Sequence, residues 1–366
     1  MTDSMTPDPI ARTRRDELAD RLFGAVIGAL DLQAVYIGDR LGLYSALAQG
    51  GPATPHELGE RAQIHPRYAR EWLEHQAVGG FIDVDDTDAA PDERRYTLPD
   101  GHADVLIEPD SLSLVAPLAR FLVGTARTMP ALLEAYRTGA GVDWADYGPD
   151  VIEAQESINR PQFVHHMGHW IDALPDIAAR LRSGSGRVAD LACGAGWSSI
   201  AIARHFPGVH VDGIDVDKGS IERARDHAAR EGVTDRVSFL FADAAAAEGA
   251  GRYDLATIFE AVHDMARPAE VLASARRLLA PGGAVLIGDE RVAATFTAPG
   301  DEVERMFYGY SVVACLANGL ADTPSVGTGT VLRPAALEAI AREAGFGGFT
   351  ILPTEHDSFR FYRLDQ

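Results

Sequence analysis

The segment Val188-Ala189-Asp190-Leu191-Ala192-Cys193-Gly194-Ala195-Gly196 constrains this chain more than any other. A short apolar run that stops at two glycines predicts a strand ending in a tight loop, because glycine takes left-handed backbone angles and lets a ligand approach the main chain. The helix expected after the loop turns its free N–H groups toward the same point. Alone, such a loop is equally a plain strand-to-helix turn with no ligand. Two later acids strengthen it. Asp215 ends the run Val211-Asp212-Gly213-Ile214, 19 residues beyond Gly196, where a carboxylate can accept two hydrogen bonds from a ribose diol. Asp243 with Ala244 ends the next run, Val237 to Phe241, with the small residues that suit the edge of an adenine ring.

Around this loop, strand and helix alternate. Further apolar runs at Leu255 to Phe259 and Ala284 to Ile287 are separated by helical stretches such as Ser220 to Glu231 and Ala269 to Leu279. That alternation predicts an α/β fold with a parallel sheet covered on both faces. Near the end, Phe349 to Leu352 reads as a parallel strand and Ser358 to Arg363 as its antiparallel return, which places the turn carrying His356 and Asp357 at the ligand-binding edge or makes it an ordinary polar hairpin turn.

The front of the chain has a different texture. Thr54-Pro55-His56-Glu57 is a capping box with proline in the first helical turn. Its helix runs to about Arg61, a second runs from Pro66 to about Ala77, and Gly79-Gly80 stops it. Phe81 to Val84 and Arg95 to Leu98 follow as two short strands. Helix, turn, helix and hairpin make a winged helix. Residues between Gly101 and Arg182 are mostly helical, with Phe163, Met167, Trp170, Ile171 and Leu174 on one stripe of a helix starting near Pro161.

With 54 acidic and 33 basic residues, the 366-residue chain carries a formal net charge of -21. From Thr54 to Asp100 there are 11 acids against 5 arginines. A winged helix that grips DNA needs the opposite balance, so nucleic acid is not expected as a partner. Two cysteines, Cys193 and Cys315, lack metal or redox spacing, so no metal is expected and a cytoplasmic location is the default. The apolar stretch Leu22 to Leu30 is too short to cross a membrane, and no other stretch reads as a span.

Two cofactors use a ribose-binding acid in this way. A nicotinamide enzyme has a third glycine three residues after the second, where this chain has Ser199, and Asp190 has no task against a pyrophosphate. An acid there suits a cationic ligand with an amino-acid end. In these residues the chain resembles the class I S-adenosylmethionine-dependent methyltransferases, whose first motif is close to DLxCGxG; Ala192 stands where the family often has glycine. The resemblance implies a Rossmann-like seven-stranded sheet, mostly parallel with its last strand antiparallel, behind a helical winged-helix domain. It implies residues 1–105 as a winged-helix dimerisation domain, 106–182 as a helical linker lining the acceptor pocket, and 183–366 as the cofactor-binding domain. Asp190, Gly194 and Gly196 would hold the methionine part of S-adenosylmethionine, Asp215 the ribose, and Asp243 with Ala244 the adenine, with Val216 and Phe259 as further cofactor-binding residues. S-adenosylhomocysteine would be the product. The winged-helix front resembles the small-molecule O-methyltransferase branch, which implies a homodimer and a small hydroxylated acceptor; carbon or nitrogen acceptors and a cofactor-binding regulator are the alternatives.

His263, in Glu260-Ala261-Val262-His263-Asp264-Met265, falls beyond the fourth strand. The resemblance implies a catalytic base there, usually in His-Asp-Trp; here Met265 replaces the tryptophan, and the plain alternative is a histidine that caps or packs the next helix. Asp289 or Glu290, at the end of the fifth strand, is a candidate to orient its ring; the plain alternative is an acid solvated at a strand end. Tyr147, Phe163, Met167 and Tyr308 are the expected acceptor-lining residues, or core. His165, His166 and His169 share a helix but lack a third ligand, so they are expected to be exposed or pocket-lining.

Overall fold

The computed structural model describes residues 9–366. The chain divides into two compact units, Met1–Val123 and Gly124–Gln366, so the helical stretch 106–182 is shared between them.

The first unit begins with α1 (Pro9–Arg40) and α2 (Leu43–Gly50), followed by α3 (Pro55–Ala62) and α4 (Pro66–Val78). The capping box forms as the sequence predicts: the Thr54 hydroxyl accepts from the Glu57 N–H, and the Glu57 carboxylate accepts from the Thr54 N–H. β1 (Asp83–Val84) and β2 (Tyr96–Thr97) pair antiparallel, and α5 (His102–Leu106) follows. Leu43, Tyr44, Leu47, Leu58, Trp72 and Leu73 form the core of this winged-helix unit.

Only the second half of α1 joins that core, through Val35 and its neighbours. The first half leaves Leu18, Leu22, Phe23, Val26, Ile27 and Leu30 between 48% and 69% exposed. The structure corrects the expectation that no stretch is long enough to span a bilayer. Asp31 does not interrupt the helix, and the apolar run continues through Leu32, Val35 and Ile37, so α1 has 32 residues and a window of mean hydropathy 1.3. By length and composition alone it reaches the size of a span.

The next helix, α6 (Pro117–Thr138), crosses the division between the units and is followed by α7 (Gly148–Asp172) and α8 (Pro175–Arg180). The sequence places the start of α7 at Pro161, but the helix begins 13 residues earlier, at Gly148, and runs through the proline. Pro161 removes one helical N–H, yet the buried stripe continues on both sides of it, from Val151 and Ala154 to Phe163, Met167 and Trp170. Tertiary packing therefore outweighs the break.

From Arg187 the chain builds one seven-stranded sheet: β3 (Arg187–Leu191), α9 (Trp197–His205), β4 (His210–Asp215), α10 (Lys218–Arg230), β5 (Val237–Phe241), β6 (Tyr253–Phe259), α11 (Pro268–Leu278) and β7 (Leu279–Glu290). An insertion holding α12 (Glu302–Tyr310) and α13 (Leu316–Gly319) precedes α14 (Pro334–Glu343), β8 (Gly348–Ile351) and β9 (Phe359–Asp365). The order is β5-β4-β3-β6-β7-β9-β8. The last strand, β9, is antiparallel to both neighbours, and that much the sequence predicts. β3 and β6 are fully or almost fully buried apolar runs, as central parallel strands must be. The sequence reverses outward from β3 in both directions, so the carboxyl ends of β3, β4 and β6 open on the switch point where such sheets bind ligands.

Candidate functional site

The loop after β3 is shaped from behind by Asp190. Its side chain is 1% exposed. The hydroxyls of Ser198 and Ser199 donate to Oδ2 at 2.5 and 2.6 Å, and Thr257 of β6 donates to Oδ1 at 2.7 Å. Burial pushes its pKa up, against those three bonds. Asp190 thus ties the strand, the start of α9 and β6 together, with its oxygens turned to protein hydroxyls.

Beyond it the backbone turns left-handed at Ala192 (φ 56°), Gly194 (φ 51°) and Gly196 (φ 82°). The two glycines serve different needs. A Cβ on Gly196 would sit 2.5 Å from the Phe239 ring, so that glycine is required by packing. A Cβ on Gly194 would meet nothing within 4 Å: it would project into the open cradle above the loop. The Gly194 N–H donates to Asp215 Oδ2 at 2.8 Å, and the Asp217 N–H donates to Oδ1 at 2.7 Å. The Asp215 carboxylate is therefore held at the end of β4, with one backbone bond on each oxygen and further lone pairs on both. Burial raises its pKa.

Asp215 and Phe241 face each other in register on adjacent strands. Phe241 is 58% exposed and Val216, just past Asp215, is 66% exposed, an apolar rim beside the cradle. Asp243 is exposed and caps the turn at Ala244, its Oδ1 accepting from the Ala245 N–H at 2.8 Å, while Ala244 is buried. Phe259, at the end of β6, is buried against Phe163 and Trp170 with ring centroids 5.5 and 5.7 Å away. A pinned carboxylate, a glycine cradle and an apolar rim fit a nucleoside whose ribose donates hydrogen bonds and whose base is flat.

Beside the cradle, past β6 and β7, lies a second group. His263 sits in one turn of 3-10 helix, 2% exposed, and its Nδ1 donates to Asp289 Oδ1 at 2.9 Å. Glu290 Oε2 is also 2.9 Å from Nδ1 but lies off the N–H direction, and Asp264 Oδ1 is 3.5 Å from Nε2. Burial opposes a charge on the ring, but Glu290, Asp289 and Asp264 outweigh it and hold the imidazole protonated well above its usual range. Glu290 is itself pushed well up by burial; Asp289, also buried, is held low by the His263 charge. The cluster is closest to neutral with the proton on His263, Asp289 ionised and Glu290 protonated, which limits the cost of burying charge. The ligand atoms of His263, Asp289 and Glu290, and those of His263, Asp264 and Cys315, each converge within 4.8 Å, a spacing that metal ligands also adopt.

Glu260, which sequence reasoning passed over, begins the loop after β6 with a left-handed backbone (φ 49°). Its Oε2 accepts from the Gln155 amide at 2.7 Å and from the Asn159 amide, both on α7. Burial pushes its pKa up to about 7. Gln155 and Asn159 are one helical turn apart, a spacing visible in the sequence once α7 is known to start at Gly148.

The four expected acceptor residues separate. Tyr147 is fully buried and its hydroxyl donates to the Ala314 carbonyl at 3.2 Å, while Met167 is 1% exposed. Phe163 packs on Phe259. Tyr308 is 38% exposed on α12, its hydroxyl 3.3 Å from Arg333. His356 serves the hairpin: its Nδ1 accepts from the Ser358 and Phe359 N–H groups and its Nε2 meets Gln162 Oε1 at 2.9 Å. Its ring also faces that of His166, 5.9 Å away.

Comparison with known proteins places this geometry. The seven-stranded sheet with its glycine loop and strand-end acids is the fold of a class I methyltransferase. Residues 183–323 match the family described as Methyltransferase domain, and residues 28–108 match the Rv2258c-like winged HTH domain. The chain carries a methyltransferase domain behind an N-terminal winged-helix domain. A ubiquinone biosynthesis O-methyltransferase of Aeromonas salmonicida is 37% identical over 101 residues, covering 28% of this chain and 42% of that protein. The chain thus spans about half the length of the curated relatives it matches. Across 98% of this chain and 100% of the other, the fold superposes on the mitomycin 7-O-methyltransferase MmcR with a TM-score of 0.69 at 19% identity. Human N-acetylserotonin methyltransferase, solved in complex with SAM, gives 0.65 at 18% identity over 100% of this chain and 99% of its own.

Proposed function

We propose that this protein transfers the methyl group of S-adenosylmethionine to a hydroxyl oxygen of a small molecule, of the kind made in secondary metabolism. The observation that carries the reading is the Asp215 carboxylate pinned beside the open Gly194 cradle. Bound there, S-adenosylmethionine supplies an electrophilic methyl on a sulfonium. The chain's own residues do the rest. Gly194 and Gly196 let the main chain approach the amino-acid end, and Asp190 fixes their loop through Ser198 and Ser199. Asp215 accepts from the ribose hydroxyls. Val216, Asp243 and Ala244 border the base, and Phe259 closes the cradle on the β6 side.

Because the leaving group is already activated, most of the acceleration comes from aligning the acceptor oxygen with the methyl. Phe163 and Tyr308 border the acceptor, with Tyr147 and Met167 supporting them. Asp289 fixes the His263 ring through Nδ1 and leaves Nε2 to take the hydroxyl proton as the C–O bond forms. His263 does this from its neutral form, so the acids that hold it protonated set the pH at which it works.

A homodimer follows from α1. Its exposed apolar half lies on a winged-helix unit whose wing is acidic, so a second copy of this helix covers it better than DNA does, and better than a bilayer given Asp16, Asp20 and Asp31 along its length. A soluble cytoplasmic enzyme is the matching location. Incubation with methyl-labelled S-adenosylmethionine and a panel of small phenols tests the reading: label recovered as an aryl methyl ether supports it, and label recovered only on carbon or nitrogen transfers it to those acceptors.

A further inference from the structure

His356 sits in the turn between β8 and β9, and its Nδ1 accepts from two backbone N–H groups at once, those of Ser358 at 3.1 Å and Phe359 at 3.0 Å. A ring nitrogen accepts only when it carries no proton. The proton of the neutral imidazole is therefore on Nε2, which donates to Gln162 Oε1 of α7 at 2.9 Å. The half-buried ring stacks on Phe359 with centroids 4.7 Å apart and meets Trp170 of α7 edge-on at 5.6 Å. One neutral histidine thus ties the turn to α7.

The backbone groups that it holds begin β9, and they also meet the chain leaving β7. The Arg291 N–H donates to the Ser358 carbonyl at 2.7 Å, and Arg291 Nε donates to the Asp357 carbonyl at 3.1 Å. Phe359 and Arg360 pair in register with Glu290 and Asp289, and Asp289 orients His263.

We propose that His356 is an acid-sensitive latch, a positioning residue that while neutral holds the start of β9 against the end of β7 and on protonation releases it. A proton on Nδ1 turns the acceptor into a donor and leaves the Ser358 and Phe359 N–H groups facing it unpaired. The new charge lies opposite His166 of α7, whose ring centroid is 5.9 Å away, itself flanked by His165 and His169. Burial holds the pKa of His356 below its usual value, with His166 and Arg291 acting in the same sense and Asp357 against them. Burial lowers His166 as well. The closed turn binds a proton less readily than the open one, so acid shifts the population toward opening. The latch itself stands whichever ligand the chain binds; its consequence for the His263 base rests on the methyltransferase reading above.

Hydrogen exchange followed by mass spectrometry on the full-length protein tests the latch, with each rate normalised to that of the unfolded chain at the same pH. Between pH 8 and pH 5, protection of residues 357–361 and of Arg291 should fall by about tenfold or more, while that of α11 stays level. His356→Asn keeps an oxygen acceptor near the place of Nδ1 and does not titrate, so it should retain protection at both pH values; His356→Ala should lack it at both. Wild-type protection that does not change with pH, an acid loss of the same size in His356→Asn, or full protection in His356→Ala would overturn the assignment. The readout needs no cofactor, so a wild type that fails to bind S-adenosylhomocysteine removes the methyltransferase reading alone.

Discussion

His263 and Asp289 are joined by a hydrogen bond of 2.9 Å between two side chains that solvent hardly touches, one on the loop after β6 and the other near the end of β7. The bond fixes which imidazole nitrogen faces Asp289 and makes ring orientation a property of the sheet. With Asp264 and Glu290 also near, the ring keeps its proton above the usual histidine range. A base must be neutral to act. Methyl transfer at subsaturating acceptor is therefore expected to rise with pH and to level off only above that raised value. His263→Ala should lower transfer by about 10²- to 10⁴-fold. A flat pH profile, or turnover unaltered in His263→Ala, would remove the base role.

Stability carries the same signature. The folded pKa of Glu260 lies at about 7, against 4.5 for a free glutamate. The native state thus binds more protons than the unfolded state in that interval, and stability falls as pH rises through it. His263, also raised, contributes stability that is complete below 6.5 and is lost as pH climbs through its folded value. Urea denaturation of Glu260→Gln and wild type across this range should show a shallower decline in the variant. A wild-type midpoint that climbs with pH faster than the variant's would contradict the sign.

Ala192 holds a left-handed backbone (φ 56°) that costs an L-residue about 1–2 kcal/mol. Glycine relieves that strain and loses part of the gain to its greater freedom when unfolded. Ala192→Gly should therefore stabilise by up to about 1 kcal/mol, read as a higher urea midpoint. A destabilised variant would show that the methyl group packs favourably enough to outweigh the strain.

On α1, Phe23 is 69% and Ile27 is 48% exposed. Placing glutamate at both positions should convert a dimer to a monomer in light scattering coupled to gel filtration, with little change in helicity by circular dichroism. A wild type that runs as a monomer would reject the dimer.

Much of this was legible beforehand. The capping box at Thr54, the glycines after β3 and the acids of β4 and β5 are local signals, each needing only neighbours in sequence, and the alternation of apolar runs with helical stretches marked out a parallel sheet. What escaped notice was non-local. Pro161 reads as a helix start because proline favours first turns, yet packing on both sides carries α7 through it. The hydroxyl partners of Asp190, from Ser198, Ser199 and Thr257, come from two other elements. Glu260 gains its meaning from Gln155 and Asn159, over a hundred residues away, and no short-range pattern pairs them.

The central claim is that Asp215 and the Gly194 cradle hold S-adenosylmethionine, and titration calorimetry with S-adenosylhomocysteine tests it most directly. Wild type should bind one equivalent per chain, and Asp215→Ala should weaken binding by roughly 10- to 100-fold, the worth of hydrogen bonds to a charged group. No binding by the wild type, or equal affinity in Asp215→Ala, would contradict the account.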